Sequence, residues 1–172
     1  PEMEPDKPSS IPHTGCKVRG DFMVTVVLLG ASAPPDETGN RENSTHAGLY
    51  VSGGGCGGTF HRAVTLVRRN GELQPSFYFY RAVWSENQMS AGGAGGDEGG
   101  AIHLRVARRE NVLTGSSSAD GAKWSEPFTI SDKLNLPDEV TVGVFAGTFP
   151  PRIVTATFTD LTIEPLKPEP KK

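Results

Sequence analysis

Between Ala101 and Arg109 the chain alternates strictly, with Ile102, Leu104 and Val106 on one parity and His103, Arg105 and Ala107 on the other. Neighbouring side chains of a strand point to opposite faces, whereas a helix repeats its apolar positions every three to four residues. The segment is therefore predicted as a strand with one face on a core and a polar face outside. Similar stretches lie at 20–29, 47–51, 61–69, 76–84, 111–118, 123–130, 139–147 and 153–164. Asn70-Gly71 and Asp120-Gly121 read as hairpin turns, because these dipeptides tolerate the positive φ such turns need. Pro34-Pro35 and Pro150-Pro151 interrupt pairing. With 21 glycines, 14 prolines and almost nothing at helical spacing, the chain reads as all-β. The opposed parities predict two packed antiparallel sheets. Phe77 and Phe79 fall on the core parity of their segment, and Tyr78 and Tyr80 on the outer one. The apolar run at 22–29 is too short to span a bilayer and is expected to be a strand buried on both sides.

A length of 172 residues suits one domain with a real core. Lys and Arg number 17 against 20 Asp and Glu, which provides no basic surface for nucleic acid or an anionic membrane. The Pro- and charge-rich ends read as a linker over 1–15 and a tail over 165–172, flanking a sandwich domain at 16–164. No signal peptide is evident, so the chain reads as a domain from a longer precursor or a processed product.

The motif order supports a more specific expectation. GDFMVTVVLLG (20–30) is followed by AGLYV (47–51), AIHLRVARRENVLTGSSSADGAKWSEP (101–127), LPDEVTVGVFAG (136–147) and ATFTDLTI (156–163). This succession resembles the concanavalin A-like sandwich domains of the DUF1349 type over residues 18–164. The resemblance implies a two-sheet antiparallel jelly-roll β-sandwich. The glycine-rich stretches at 53–58 and 92–100 depart from the pattern as loop variation.

Several chemical motifs fail on context. Gly53, Gly55 and Gly58 spell G-x-G-x-x-G, but a strand-like TFHRAVTLVRR follows, where a dinucleotide site needs a helix N-terminus. AGGAGGDEGG (91–100) lacks the Lys-Ser/Thr of a phosphate loop, so no cofactor is expected. Retaining glycoside hydrolysis needs two carboxyls about 5 Å apart. The alternating acids Glu2, Glu4 and Asp6 sit in the tail, and Glu110, Glu126 and Glu139 stand singly in the strands. No G-x-S-x-G elbow occurs, so the chain is expected not to be an enzyme. SADGAKW (118–124) occurs once and reads as a turn that Asp120 caps, with Trp124 packed beneath it.

Two further expectations concern sites. If strands 20–29 and 47–51 paired as a hairpin, Cys16 and Cys56 would reach the same end of one sheet. A disulfide would then close a loop of about 40 residues and contribute about 3–4 kcal/mol. Free thiols remain an alternative, as does zinc on His13, Cys16, Cys56 and His61. The disulfide is the expectation, with no metal, and it favours an extracytoplasmic location. Outward aromatic and polar groups at Tyr78, Tyr80, Trp84, His103 and Arg105 are the candidate ligand-binding set, since a sugar ring stacks on an aromatic while its hydroxyls bond outward. Tyr78 and Tyr80 would lie about 7 Å apart on one face, with His103 and Arg105 on a strand alongside. The chain thus reads as a binding module for a glycan, or alternatively as a structural or protein-interaction domain of a larger assembly.

Overall fold

The computed structural model describes residues 13–32, 44–53, 65–69, 72–77, 90–91, 101–131, 136–149 and 155–167. Among these there is no helix, and the strands are β1 (His13–Arg19), β2 (Phe22–Ser32), β3 (Ser44–Ser52), β4 (Thr65–Arg69), β5 (Glu72–Phe77), β6 (Ser90–Ala91), β7 (Ile102–Arg109), β8 (Val112–Ser118), β9 (Phe128–Ser131), β10 (Glu139–Phe149) and β11 (Thr155–Pro165). They form two antiparallel sheets, one ordered β1-β10-β3-β4-β5-β6 and the other β11-β2-β7-β8-β9. The fold is the all-β two-sheet sandwich that the alternation predicts.

The core lies between the central strands of the two sheets. Phe22, Val24, Val26 and Leu28 of β2 and Ile102, Leu104 and Val106 of β7 face Ala47, Leu49 and Val51 of β3 and Val140 and Val142 of β10. All of these are essentially inaccessible to solvent. β2 is buried completely on this parity only, and Met23, Thr25 and Val27 on its other face are half-buried. The expectation of burial on both faces is corrected accordingly: the outer face of this sheet mixes polar and apolar side chains, and no second apolar layer covers it among the described residues.

Other corrections concern connections. β2 and β3 do not pair, because they lie in opposite sheets and face each other across the core. The chain between them passes from one sheet to the other, so the hairpin that placed Cys16 and Cys56 together is absent. Cys16 is instead an exposed free thiol in the middle of β1, and Cys56 lies outside the described residues. β1 also takes in His13, Thr14 and Gly15, which the sequence reading assigned to the linker. The expected strand at 123–130 is shortened to β9, because the Asp120 turn engages residues 122 and 123 and Pro127 has no N–H to donate.

Asn70-Gly71 does connect paired strands, with Arg69 opposite Glu72. A second two-residue connection, Glu110-Asn111, joins Arg109 to its partner Val112. Glu110 adopts a φ of 52° there. That left-handed conformation is held from both sides: the Glu110 N–H donates to Asp21 Oδ1 at 2.7 Å, and its carbonyl accepts from Arg108 Nε at 2.9 Å. Arg108 is itself buried and also donates to the Asp138 carbonyl, which fastens this end of the sandwich across both sheets.

Candidate functional site

His103 and Arg105 stand on the outer face of the five-stranded sheet, as their parity predicts. Register sets Arg105 in a row that crosses four strands: Thr162 on β11, Thr25 on β2, Arg105 on β7 and Ser116 on β8. Thr162 Oγ1 donates to Thr25 Oγ1 at 3.2 Å. A guanidinium is thus embedded in a line of hydroxyls.

The loop after β8 completes the surface. Ser118 Oγ accepts from the backbone N–H groups of Asp120 and Gly121 and donates to Asp120 Oδ1 at 3.0 Å. Asp120 Oδ1 in turn accepts from the N–H groups of Ala122 and Lys123, both at 2.8 Å. This is the side-chain cap expected of SADGAKW. Gly121 is required at its position, because its φ is 72° and an added Cβ would sit 2.8 Å from the His103 ring. Two bonds with Ser125 stitch the loop to Ser117.

Trp124 is delivered by this loop onto the sheet. Its Nε1–H donates to the Gly121 carbonyl at 3.0 Å. Arg105 Cζ lies 3.5 Å from the centroid of its ring, a close cation–π contact. The His103 ring meets it edge-on, with centroids 6.5 Å apart at 82°. The expected packing of Trp124 beneath the turn is therefore present, and its ring also meets the outward guanidinium of Arg105. Trp124 remains half-buried. Arg105 Nε is buried without a hydrogen-bond partner, leaving a donor unsatisfied beside the ring. Burial pulls the Arg105 pKa down, opposed by the Glu164 carboxylate.

The backbone N–H groups on Asp120, first that of Lys123 and then that of Ala122, hold its carboxyl at about 2, below the ordinary 3.8. A carboxylate depressed in the folded state supports the fold fully above its ordinary pKa and loses that support as pH falls toward the folded value. Stability should accordingly decline between pH about 4 and about 2, and Asp120→Asn should flatten this part of the profile while keeping an acceptor oxygen. Urea midpoints across that window, wild type against variant, measure the difference. Equal slopes would remove Asp120 from the acid limb.

Tyr78, Tyr80 and Trp84 lie outside the described residues, as does Phe79. β5, which leads toward them, belongs to the six-stranded sheet, whereas β7 belongs to the other. The strand carrying His103 and Arg105 therefore does not run beside β5, and among the described residues it is Trp124 that meets Arg105. Trp124 was assigned to packing alone in the sequence, where only its fixed distance from Asp120 marked it. Among the described residues no group of His, Cys, Asp and Glu is placed to hold a metal ion, and no helix is long and apolar enough to cross a membrane.

The fold is similar to that of several solved structures. A functionally unknown protein from Saccharomyces cerevisiae aligns with a TM-score of 0.66 and 20% identity, over 92% of this chain and 77% of that one. A sheep galectin-11 complex with glycerol aligns at 0.51 and 13%, over 91% and 99%. An alginate lyase from Pseudomonas aeruginosa aligns at 0.54 and 14%, over 86% and 66%. At these identities the likeness is one of fold. No family model matches the chain, and comparison with curated proteins returns no match.

Proposed function

We propose that the chain is a non-catalytic carbohydrate-binding module of the concanavalin A-like type, in keeping with its DUF1349-like motif order. The observation that carries the reading is the outer face of the five-stranded sheet, where Trp124 and Arg105 stack within a row of threonine and serine hydroxyls. A pyranose presents an apolar face to an aromatic ring and a rim of hydroxyls to polar partners. The Arg105 guanidinium, half-buried on this face, brings a positive charge and N–H donors that suit a sugar hydroxyl or carboxylate. The sandwich fold, similar to that of a galectin and of an alginate lyase, supports the same reading. Tyr78, Tyr80 and Trp84 stay in the proposed set on the sequence pattern.

A glycan array probed with the whole chain tests it. The chain has two tryptophans, Trp84 and Trp124. Binding of an array-selected oligosaccharide to the unsubstituted chain should shift the tryptophan emission, and Trp124→Phe should diminish that shift. Arg105→Ala and Trp124→Ala should each weaken binding about tenfold or more, the effect of losing one stacking or charge-assisted contact. An array without hits, or hits indifferent to both substitutions, would overturn the proposal. The alternative, a protein-interaction module, is favoured by one separate observation, the position of β1 at the end of its sheet among the described residues.

A further inference from the structure

We infer that the ligand of the Arg105–Trp124 face is an acidic glycan, with a uronate carboxylate against the guanidinium and an adjoining sugar ring on the indole. This rests on the carbohydrate reading above and adds the chemical class. Elsewhere in the two sheets, basic side chains find partners within the chain. Lys17 and Arg19 share the Glu139 carboxylate, Arg108 donates to the carbonyls of Glu110 and Asp138, and Arg109 donates to that of Lys167. Arg105 differs. Among the described residues no carboxylate pairs with it and no acceptor takes its N–H groups, and it stacks on Trp124 instead. A charge drawn out of water without a counter-ion is destabilising, and a ring quadrupole offsets only part of that cost. Glu164 acts on it from β11, two strands away, without closing a salt bridge. The missing counter-ion is the part a bound anion supplies.

The accessible part of the guanidinium selects a carboxylate. Nε is the guanidinium nitrogen that is fully enclosed without a partner, so the Nη1–Nη2 edge is what reaches the surface. The two N–H donors along that edge match both oxygens of a carboxylate, whereas a single hydroxyl engages them less fully. Stacking on the indole restrains the plane of the fork before any ligand arrives. Thr25 and Thr162 stand in the same row, one and two strands across, at roughly 5 and 10 Å from β7. That span suits the hydroxyl rim of one pyranose. Because Arg105 occupies one face of the indole, a stacking sugar takes the other face. The carboxylate then comes from the neighbouring sugar, and the smallest complete ligand is a disaccharide.

The test applies the full chain to an array of galacturonate, mannuronate and guluronate oligomers, each beside its carboxyl-reduced counterpart, with neutral and sulfated oligosaccharides included. Hits should be uronates. Calorimetric titration of a hit and of its reduced form should give Kd values differing about tenfold or more, the effect of one charge-assisted contact. Added salt should weaken the uronate more than the reduced form. Arg105→Gln should bring the ratio of the two Kd values close to one. Arg105→Lys, which keeps the charge and loses the fork, should also lower it. Trp124→Ala should weaken both ligands alike and leave the ratio standing. If Arg105→Gln fails to fold, the ratio on the unsubstituted chain still decides, because reduction alters the ligand alone. Neutral or sulfated sugars bound as tightly as uronates, or a ratio near one in the unsubstituted chain, would overturn the acidic class while leaving carbohydrate binding intact. A ratio unchanged by Arg105→Gln would remove Arg105 as its reader. An array without hits would overturn both this inference and the carbohydrate reading.

Discussion

Phe22→Ala is expected to lower the unfolding free energy by about 3–5 kcal/mol, whereas Val27→Ala, five residues along the same strand, should cost about 1 kcal/mol or less. Phe22 is fully buried and belongs to the core cluster, where its ring fills the first layer of the sandwich. Removing it leaves a cavity that the two sheets cannot close, since their spacing is set by the side chains on either side. Val27 occupies the opposite parity and is only half-buried. For a chain of this size the larger loss corresponds to a Tm lower by roughly 10 °C. Urea denaturation of both variants, with unchanged m-values, measures the contrast. Comparable losses would mean that β2 is buried on two faces after all, the expectation the structure has corrected.

That correction shows where the sequence was readable and where it was not. The alternation in β2, β7 and β10 carries strand identity and core parity directly, because a one-residue slip would turn every apolar side chain outward. Hairpin signals carried local pairing, as at Asn70-Gly71, and turn chemistry predicted the Asp120 cap before its bonds were seen. Which sheet a strand joins left no such mark. β2 and β3 are both apolar on alternate positions, and that pattern is identical whether they lie side by side or face to face. β1 was missed because HTGCKVR has almost no apolar alternation: an overhanging edge strand buries little on either face. The site was legible in part for the same reason. Parity put His103 and Arg105 outside, but the ring that covers Arg105 arrives from a loop, and only three-dimensional turn geometry brings Trp124 there.

Gly143→Ala is expected to release β1 at a cost of about 3 kcal/mol, at the upper end of what overpacking one methyl does. Gly143 faces Gly15 on β1 on one side and Tyr50 on β3 on the other. A Cβ at Gly143 would fall on the Thr14 carbonyl and lie 2.5 Å from Gly15 Cα, so the obstacle is backbone and cannot rotate away. A Cβ at Gly15 would meet the Val142 carbonyl and the Tyr50 hydroxyl, which places the phenol over the same narrow row. Burial, and then the nearby Cys16, raises the pKa of that phenol, as expected of a hydroxyl held against the sheet. β10 cannot retreat, because Val140 and Val142 are locked in the core and β3 holds its other side. β1 is held by β10 alone among the described strands, so it is the element that yields. Hydrogen exchange should therefore show lost protection at 13–19 in Gly143→Ala, with β2, β3 and β7 still protected. Once β1 is displaced, adding Gly15→Ala should cost little more, giving a strongly non-additive double-mutant cycle. Additive losses, or protection lost evenly across both sheets, would show that β1 is integral to the core rather than an edge laid against it.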